Sequence, residues 1–167
     1  PVVSGTACMG CHEPHASAGK GLLTKASAGD VCLSCHSKEI VTERGKVTDI
    51  AAHLAANPHR HGPVEGGECA SCHDAHGSAW KALAARSFPA SFYSSYGEET
   101  YKLCFECHEA EAFASAETDD ATGFRNGTRN LHFLHVNKSP KGRSCSACHD
   151  PHASKNEKHI AEFAPFG

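Results

Sequence analysis

Large apolar side chains are sparse along this chain, and alanine, glycine and serine fill most of the positions between them. One stretch, VTDIAAHLAAN, predicts a short helix with Ile50 and Leu54 on one side. Glycine and proline interrupt the remaining sequence frequently, and strand signals are few. The pattern therefore predicts a mostly irregular fold that has short α-helices and little or no β-sheet.

Hydrophobic residues make up 40% of the composition, but many are alanine, so an ordinary core of leucine, isoleucine and valine is undersupplied. We therefore expect something other than aliphatic side chains to fill the interior. No stretch approaches the roughly 18 apolar residues that crossing a membrane requires. Pro1 is not an initiator residue, so we expect a processed or truncated chain. A net charge of −3, with no basic run, does not suggest a nucleic-acid partner.

All ten cysteines fall into C-x-x-C pairs, and a histidine follows each pair at once. This spacing is the motif for covalent attachment of c-type haem. Residues i, i+3 and i+4 share one face of a helical turn, so two thiols can form thioethers with the haem vinyl groups while the imidazole points at the iron. The sequence thus predicts five covalently attached haems c. The attaching residues are Cys8, Cys11, Cys32, Cys35, Cys69, Cys72, Cys104, Cys107, Cys145 and Cys148, and the proximal iron ligands are His12, His36, His73, His108 and His149.

Three other uses of these cysteines explain less of the pattern. A disulfide framework gives no reason for the histidines, and zinc sites built from C-x-x-C units do not require a histidine after every pair. Thioredoxin-like pairs occur singly, beside a βαβ pattern that is absent here. With five haems in 167 residues, we expect the macrocycles themselves to form the core.

The sixth ligand of each iron must come from outside these motifs. Methionine ligation raises the reduction potential of a haem, but the single methionine, Met9, lies inside the first motif and is badly placed to reach the far face. Nine histidines lie outside the motifs, so their supply exceeds the five that are needed. The best candidates are His15, His61, His76, His135 and His152, the alternates are His53, His59 and His132, and His159 is expected to be exposed or to support a ligand.

Three of these candidates, His15, His76 and His152, lie three residues after a motif histidine, and a small residue and a serine follow each. A histidine at this spacing can hardly reach the opposite face of the same macrocycle. It can reach a neighbouring haem, and three residues span at most about 11 Å, so the two irons would lie no more than roughly 20–25 Å apart. The spacing therefore predicts haems close enough for electron transfer.

Three segments of the chain align with one another, each built as a loop, C-x-x-C-H-x-x-H and a further loop, and the first two are followed by another C-x-x-C-H. We expect one multihaem domain, 1–167, with repeat units at approximately 1–57, 58–123 and 124–167. The first unit lacks the leading histidine that His61 and His135 provide in the others, and the third lacks a second haem motif.

The sequence here resembles the doubled-CXXCH family of multihaem c-type cytochromes. The resemblance rests on CHEPHAS, HGPVEGGECASCHDAHGS, CFECH and NLHFLHVNKSPKGRSCSACHDPHAS, and it covers almost the whole chain. It implies low-spin haems with two histidine ligands and electron transfer outside the cytoplasm.

Counting ligands by unit leaves the first unit short of one donor and the third with one too many. Either His53 or His59 serves the first unit, or ligands are shared between units, or the surplus histidine serves another copy of the chain.

These observations predict an electron carrier in respiratory or extracellular electron transport, whose partners are other redox proteins or cytochromes. A subunit of a polymeric filament, with haem ligation between subunits, is one form that it could take. The alternative is a multihaem reductase of the nitrite or hydroxylamine type, which needs one open iron site. The resemblance implies that thioether attachment to reduced cysteines is completed outside the cytoplasm, so we expect export to the periplasm or the cell surface of a bacterium or archaeon.

Overall fold

The computed structural model describes residues 8–43, 45–89 and 91–163. Its helices and strands are short, and irregular segments connect them, which confirms the predicted fold of short helices with little sheet. The α-helices are α1 (Ala28–Leu33), α2 (Ile50–Ala56), α3 (Gly62–Glu65), α4 (Lys102–Phe105), α5 (Glu111–Ala114) and α6 (Leu131–Val136). The strands are β1 (Ile40–Thr42), β2 (Gly45–Val47), β3 (His59–Arg60), β4 (Arg125–Asn126), β5 (Arg129–Asn130) and β6 (Ala153–Ser154). Single turns of 3₁₀ helix lie at Lys20–Leu22, Cys69–Ser71, Lys81–Leu83, Cys145–Ala147 and Glu157–His159.

Side-chain caps determine where three of the α-helices begin. The Ser27 hydroxyl accepts a hydrogen bond from the Asp30 amide (3.1 Å) at the start of α1. Asp49 does the same for α2, which is the helix predicted at VTDIAAHLAAN. The side chain of Asn130 caps α6 by accepting from the Phe133 amide at 3.2 Å. Such caps satisfy amides that have no partner within the helix.

The chain forms two compact units, and the first comprises Pro1–Ser71 and Asp150–Glu162. In it, β1 and β2 form an antiparallel hairpin, with Ile40 opposite Val47. Strand β3 pairs antiparallel with β6, which places His59 opposite Ser154. The segment that follows the fifth C-x-x-C-H motif is therefore part of this unit through its backbone hydrogen bonds.

The second compact unit comprises Cys72–His149 and Phe163–Gly167. Strands β4 and β5 form an antiparallel hairpin that leads directly into α6. The buried side chain of Asn130 donates to the carbonyls of Ala112 (3.0 Å) and Ser115 (2.9 Å), and Asn137 donates to the carbonyl of Phe113 (2.9 Å). These bonds hold α6 against α5 and thereby position the histidines of α6.

Few apolar side chains are buried among the described residues, and those that are include Val31, Tyr101 and Val136. Large apolar side chains such as Met9 and Trp80 are well exposed. The expectation that haem macrocycles fill the core stays a prediction, as do the single domain and its repeat boundaries. Over the three described ranges, no helix has both the length and the apolar character to span a bilayer.

Candidate haem-binding sites

The C-x-x-C-H motifs form tight turns that bring two thiols and an imidazole together. The histidine amide donates to the carbonyl of the first cysteine, at 2.9 Å from His36 to Cys32 and at 2.9 Å from His149 to Cys145. The same bond joins His12 to Cys8 (2.8 Å) and His108 to Cys104 (3.0 Å). No disulfide bond joins any of the ten cysteines, which all lie within the described ranges and are exposed or half-buried. This is the arrangement that two thioether bonds and a proximal ligand require.

Loops after the first and third motifs hold the proximal imidazole in place. Nδ1 of His12 lies 2.8 Å from the carbonyl oxygen of Gly21, and Nδ1 of His73 lies 2.8 Å from that of Ala82. A histidine that donates from Nδ1 to a carbonyl keeps Nε2 as the metal-binding nitrogen and has a fixed ring orientation. These carbonyls belong to turns in which Gly21 and Ala82 have positive φ values of 72° and 58°.

The serine that follows each C-x-x-C-H-x-x-H holds the same loop closed. Ser78 accepts from the Trp80 amide (2.9 Å) and donates to the Ala84 carbonyl. Ser17 and Ser154 make the equivalent pair of bonds in their own loops. The serine noted in the sequence therefore supports the carbonyl that orients the proximal histidine of the first and third motifs.

Thiols from different motifs lie in contact. In the first unit Cys32 and Cys69 are hydrogen-bonded, and burial, followed by the neighbouring Cys69, raises the pKa of Cys32 to about 11. In the second unit Cys104 and Cys145 share a hydrogen bond, which lowers the pKa of Cys104 and raises that of Cys145. The second and third motifs thus meet at their cysteines, and so do the fourth and fifth.

His132 lies on α6 beside the fifth motif. Its ring centroid is 6.4 Å from that of His149, with 30° between the ring planes. Nδ1 of His132 is 2.9 Å from the Thr122 hydroxyl. Burial lowers the pKa of His132, and His149 and then His135 lower it further. These surroundings therefore favour the neutral imidazole, which is the form that binds a metal.

His135 lies one turn further along α6, where Nδ1 is 2.6 Å from the Leu131 carbonyl oxygen. Its ring stacks on Phe124, with centroids 5.7 Å apart. His135 also lines a cavity of about 570 Å³. Apolar walls and cationic side chains suit a haem and its propionates. The other lining residues are Tyr93, Phe133, Leu134, Asn137, Lys138, Lys141 and Arg143.

In the first unit, His152 lies beside His53, with ring centroids 6.5 Å apart and planes at 83°. Nε2 of His53 is 3.2 Å from Oδ2 of Asp150 and 3.2 Å from the Ala153 carbonyl oxygen. The His61 amide donates to the His152 carbonyl at 3.2 Å. His152 thus belongs to the first compact unit, whereas His149 belongs to the second.

Among the remaining histidines outside the motifs, two form a further ring pair and two are exposed. The rings of His61 and His159 meet edge to face, with centroids 5.4 Å apart, and Nδ1 of His159 is 3.2 Å from the His59 carbonyl oxygen. His15 and His76 are exposed on the loops that follow their own motifs.

A profile of the doubled CXXCH motif matches residues 1–40, 61–113 and 138–164, which is most of the chain. The chain belongs to the doubled CXXCH family. No curated protein matches it individually. The doubled CXXCH motifs indicate covalent binding of haem c, and with it a multihaem c-type cytochrome that acts in electron transfer. Multihaem c-type cytochromes are generally exported.

The described residues of this doubled CXXCH protein fit that cofactor. Their cysteines form no disulfides, four motifs close through a backbone hydrogen bond from the histidine to the first cysteine, and Nδ1 of two proximal histidines is already hydrogen-bonded. Sequence reasoning missed two further contributions, the Thr122 hydroxyl beside His132 and the Asp150 carboxylate beside His53. Thr122 stands at no fixed spacing from a motif, so no pattern in one sequence marks it. Asp150 directly follows the fifth motif, but the sequence does not show its contact with the distant His53.

Proposed function

We propose that this chain moves electrons along five covalently attached haems c, each held by one C-x-x-C-H motif. Haem c supplies an iron that accepts and donates one electron at a time. The chain's own residues attach, ligate and space these groups. The ten cysteines form the thioethers, and the five motif histidines bind from the proximal side.

The observation that carries the proposal is the contact between thiols of different motifs. Cys32 is hydrogen-bonded to Cys69, and Cys104 to Cys145. Groups bonded to two such sulfur atoms would meet at their attachment points. This favours rapid electron exchange between the second and third haems and between the fourth and fifth.

Histidine supplies the sixth ligands in this proposal. Met9 is 63% exposed and lies within the first motif, and it is not a ligand. Two imidazoles on every iron keep the potentials low and leave no position for a substrate, which separates an electron carrier from a nitrite or hydroxylamine reductase. The donors predicted from the sequence are His15, His61, His76, His135 and His152, with His53, His59 and His132 as alternates.

Respiratory or extracellular electron transport is the proposed setting, in the periplasm or at the cell surface of a bacterium or archaeon. The proposed partners are other redox proteins or cytochromes. Electrons then enter from a reduced partner and leave to an oxidised one, and the chain itself is unchanged after each cycle.

Self-association into a filament is a further part of the proposal. Nine histidines outside the motifs serve five irons, and His135 lines an open cavity beside Lys138, Lys141 and Arg143. A surplus imidazole could therefore complete a haem of a second copy. Negative-stain microscopy of the haem-loaded protein is expected to show elongated polymers, and particles of monomer size alone would contradict this part.

Carbon monoxide titration of the reduced wild-type protein tests the electron-carrier function. The expected result is an unchanged absorption spectrum, because carbon monoxide binds only an iron with an exchangeable position. Spectroelectrochemical titration of the same sample is expected to reduce every haem reversibly at low potential. A spectral shift of one haem with carbon monoxide would instead favour the reductase.

A further inference from the structure

The distance between His132 and His149 suits two ligands of one metal. A metal–imidazole bond is about 2.0 Å long and the nitrogen lies about 1.2 Å from its ring centre, so imidazoles on opposite sides of a metal have centroids about 6.4 Å apart. The observed separation is 6.4 Å. His149 is the histidine of the fifth C-x-x-C-H motif, so its Nε2 is the nitrogen that would bind the iron.

The surroundings of His132 orient its ring for such a bond. Nδ1 is 2.9 Å from Oγ1 of Thr122, an oxygen that also accepts from the Phe124 amide at 3.0 Å. Donation from Nδ1 leaves the lone pair of Nε2 for a metal. The rings of Phe113 and Phe124 contact His132 with centroids 5.0 Å and 5.1 Å away, and they restrict its rotation.

A second pair of histidines has a similar separation of ring centroids, but this separation does not indicate two ligands of one haem. His53 and His152 have centroids 6.5 Å apart, but neither follows a C-x-x-C pair. Nε2 of His53 already contacts the Asp150 carboxylate and the Ala153 carbonyl oxygen. In the other pair, His149 belongs to a haem motif, and His132 uses Nδ1, not Nε2, for its hydrogen bond with the Thr122 hydroxyl.

We propose that His132 is the sixth ligand of the haem attached at Cys145 and Cys148, opposite His149. This inference rests on the proposed function, because it requires a haem at the fifth motif. It replaces His135, the donor that the sequence pattern favours in this region, and leaves His135 for a different iron.

Carbon monoxide stoichiometry tests the assignment. His132→Ala is expected to open one haem, so the reduced protein binds about one carbon monoxide per chain where the wild type binds none. Thr128→Ala, at an exposed position in the turn before α6 and without a ligating group, is the control and should leave every haem closed. If His132→Ala opens no haem, the assignment is wrong.

A second substitution establishes which iron is opened. His149→Ala either opens the fifth haem or prevents its attachment, and adding His132→Ala to that variant is expected to open no further haem. If the double variant binds one more carbon monoxide than His149→Ala alone, His132 ligates a different iron and the assignment fails.

His132→Met covers the case in which the alanine variant does not fold. Methionine keeps six ligands on the iron and raises its potential, so one haem is expected to titrate at a higher potential than in the wild type. Unchanged potentials in a variant with full haem content would overturn the inference.

The pyridine haemochrome assay of haem content distinguishes a failure of the proposed function from a failure of the His132 assignment. Fewer than five haems in the wild type contradicts the proposed function. Five haems, none of them opened by His132→Ala, contradicts only the role of His132.

Discussion

Gly29 is the position at which one methyl group is expected to disturb the contact between the second and third motifs. A Cβ at Gly29 would lie 2.8 Å from the carbonyl oxygen of Gly67 and 3.1 Å from its Cα. Both are backbone atoms, so no side-chain rotation can relieve the overlap. Helix α1 carries Cys32, and Gly67 lies two residues before Cys69, so Gly29→Ala should move the two thiols apart.

The expected loss of folding free energy in Gly29→Ala is the difference between two opposed contributions. Overpacking of this kind costs about 1–3 kcal/mol, while alanine in place of glycine favours a helix by up to about 1 kcal/mol. A net loss of about 1–2 kcal/mol lowers the melting temperature of a chain of this size by roughly 2–8 °C. Gly62→Ala, in α3, is the matched control because its Cβ would meet no atom within 4 Å.

Circular dichroism measures both consequences on the haem-loaded proteins. Far-ultraviolet melting is expected to show a lower midpoint for Gly29→Ala and an equal or higher one for Gly62→Ala. The Soret bands of neighbouring haems couple, so Gly29→Ala should also change the Soret dichroism. If Gly29→Ala melts no lower than Gly62→Ala and retains the wild-type Soret signal, the close contact of α1 with Gly67 is refuted.

Three further predictions concern single side chains. Thr122→Val removes the hydroxyl beside His132, and loss of such a partner typically weakens metal ligation about 10–100-fold. Carbon monoxide titration should therefore show binding to one haem, where the wild type shows none, while the exposed Thr128→Val should match the wild type. Ser78→Ala removes two hydrogen bonds from the loop after the third motif and is expected to cost about 1–3 kcal/mol, measured as a lower thermal midpoint; an unchanged midpoint would mean that the loop does not depend on the hydroxyl. Met9→Leu should leave all reduction potentials unchanged in spectroelectrochemical titration, and a fall in one potential would identify Met9 as a ligand.

The local shape of each C-x-x-C-H motif is predictable from sequence because a single helical turn determines it. Residues three and four apart lie on one face wherever the chain makes such a turn. The turn from Cys145 to His149 closes through one backbone bond of 2.9 Å. Helix α2 was predictable for the same reason, since its apolar spacing and its Asp49 cap are both local.

The loops after three of the motifs were only partly predictable. The shared serine was visible in the sequence, but its partner is a carbonyl six residues later. The intervening turn uses Leu22 and Ala82 at positive φ, where residues other than glycine are disfavoured by about 1–2 kcal/mol. Local preference therefore argues against the observed conformation, and the hydrogen bonds of the loop maintain it.

Contacts between distant parts of the chain could not be predicted from the sequence. Cys104 and Cys145 are hydrogen-bonded although many residues separate them, and no periodicity encodes that pairing. The sequence did predict that His152 serves a haem other than that of its own motif. The structure groups His152 with His53 and His61, and which iron it binds stays a prediction.

The number of covalently bound haems tests the central claim most directly. The protein should be produced in a host that attaches haem c, purified, and measured by intact mass spectrometry together with the pyridine haemochrome assay. The account predicts a chain mass increased by five haems that denaturation does not release. A chain that carries fewer than five, or that loses its haem on denaturation, would contradict it.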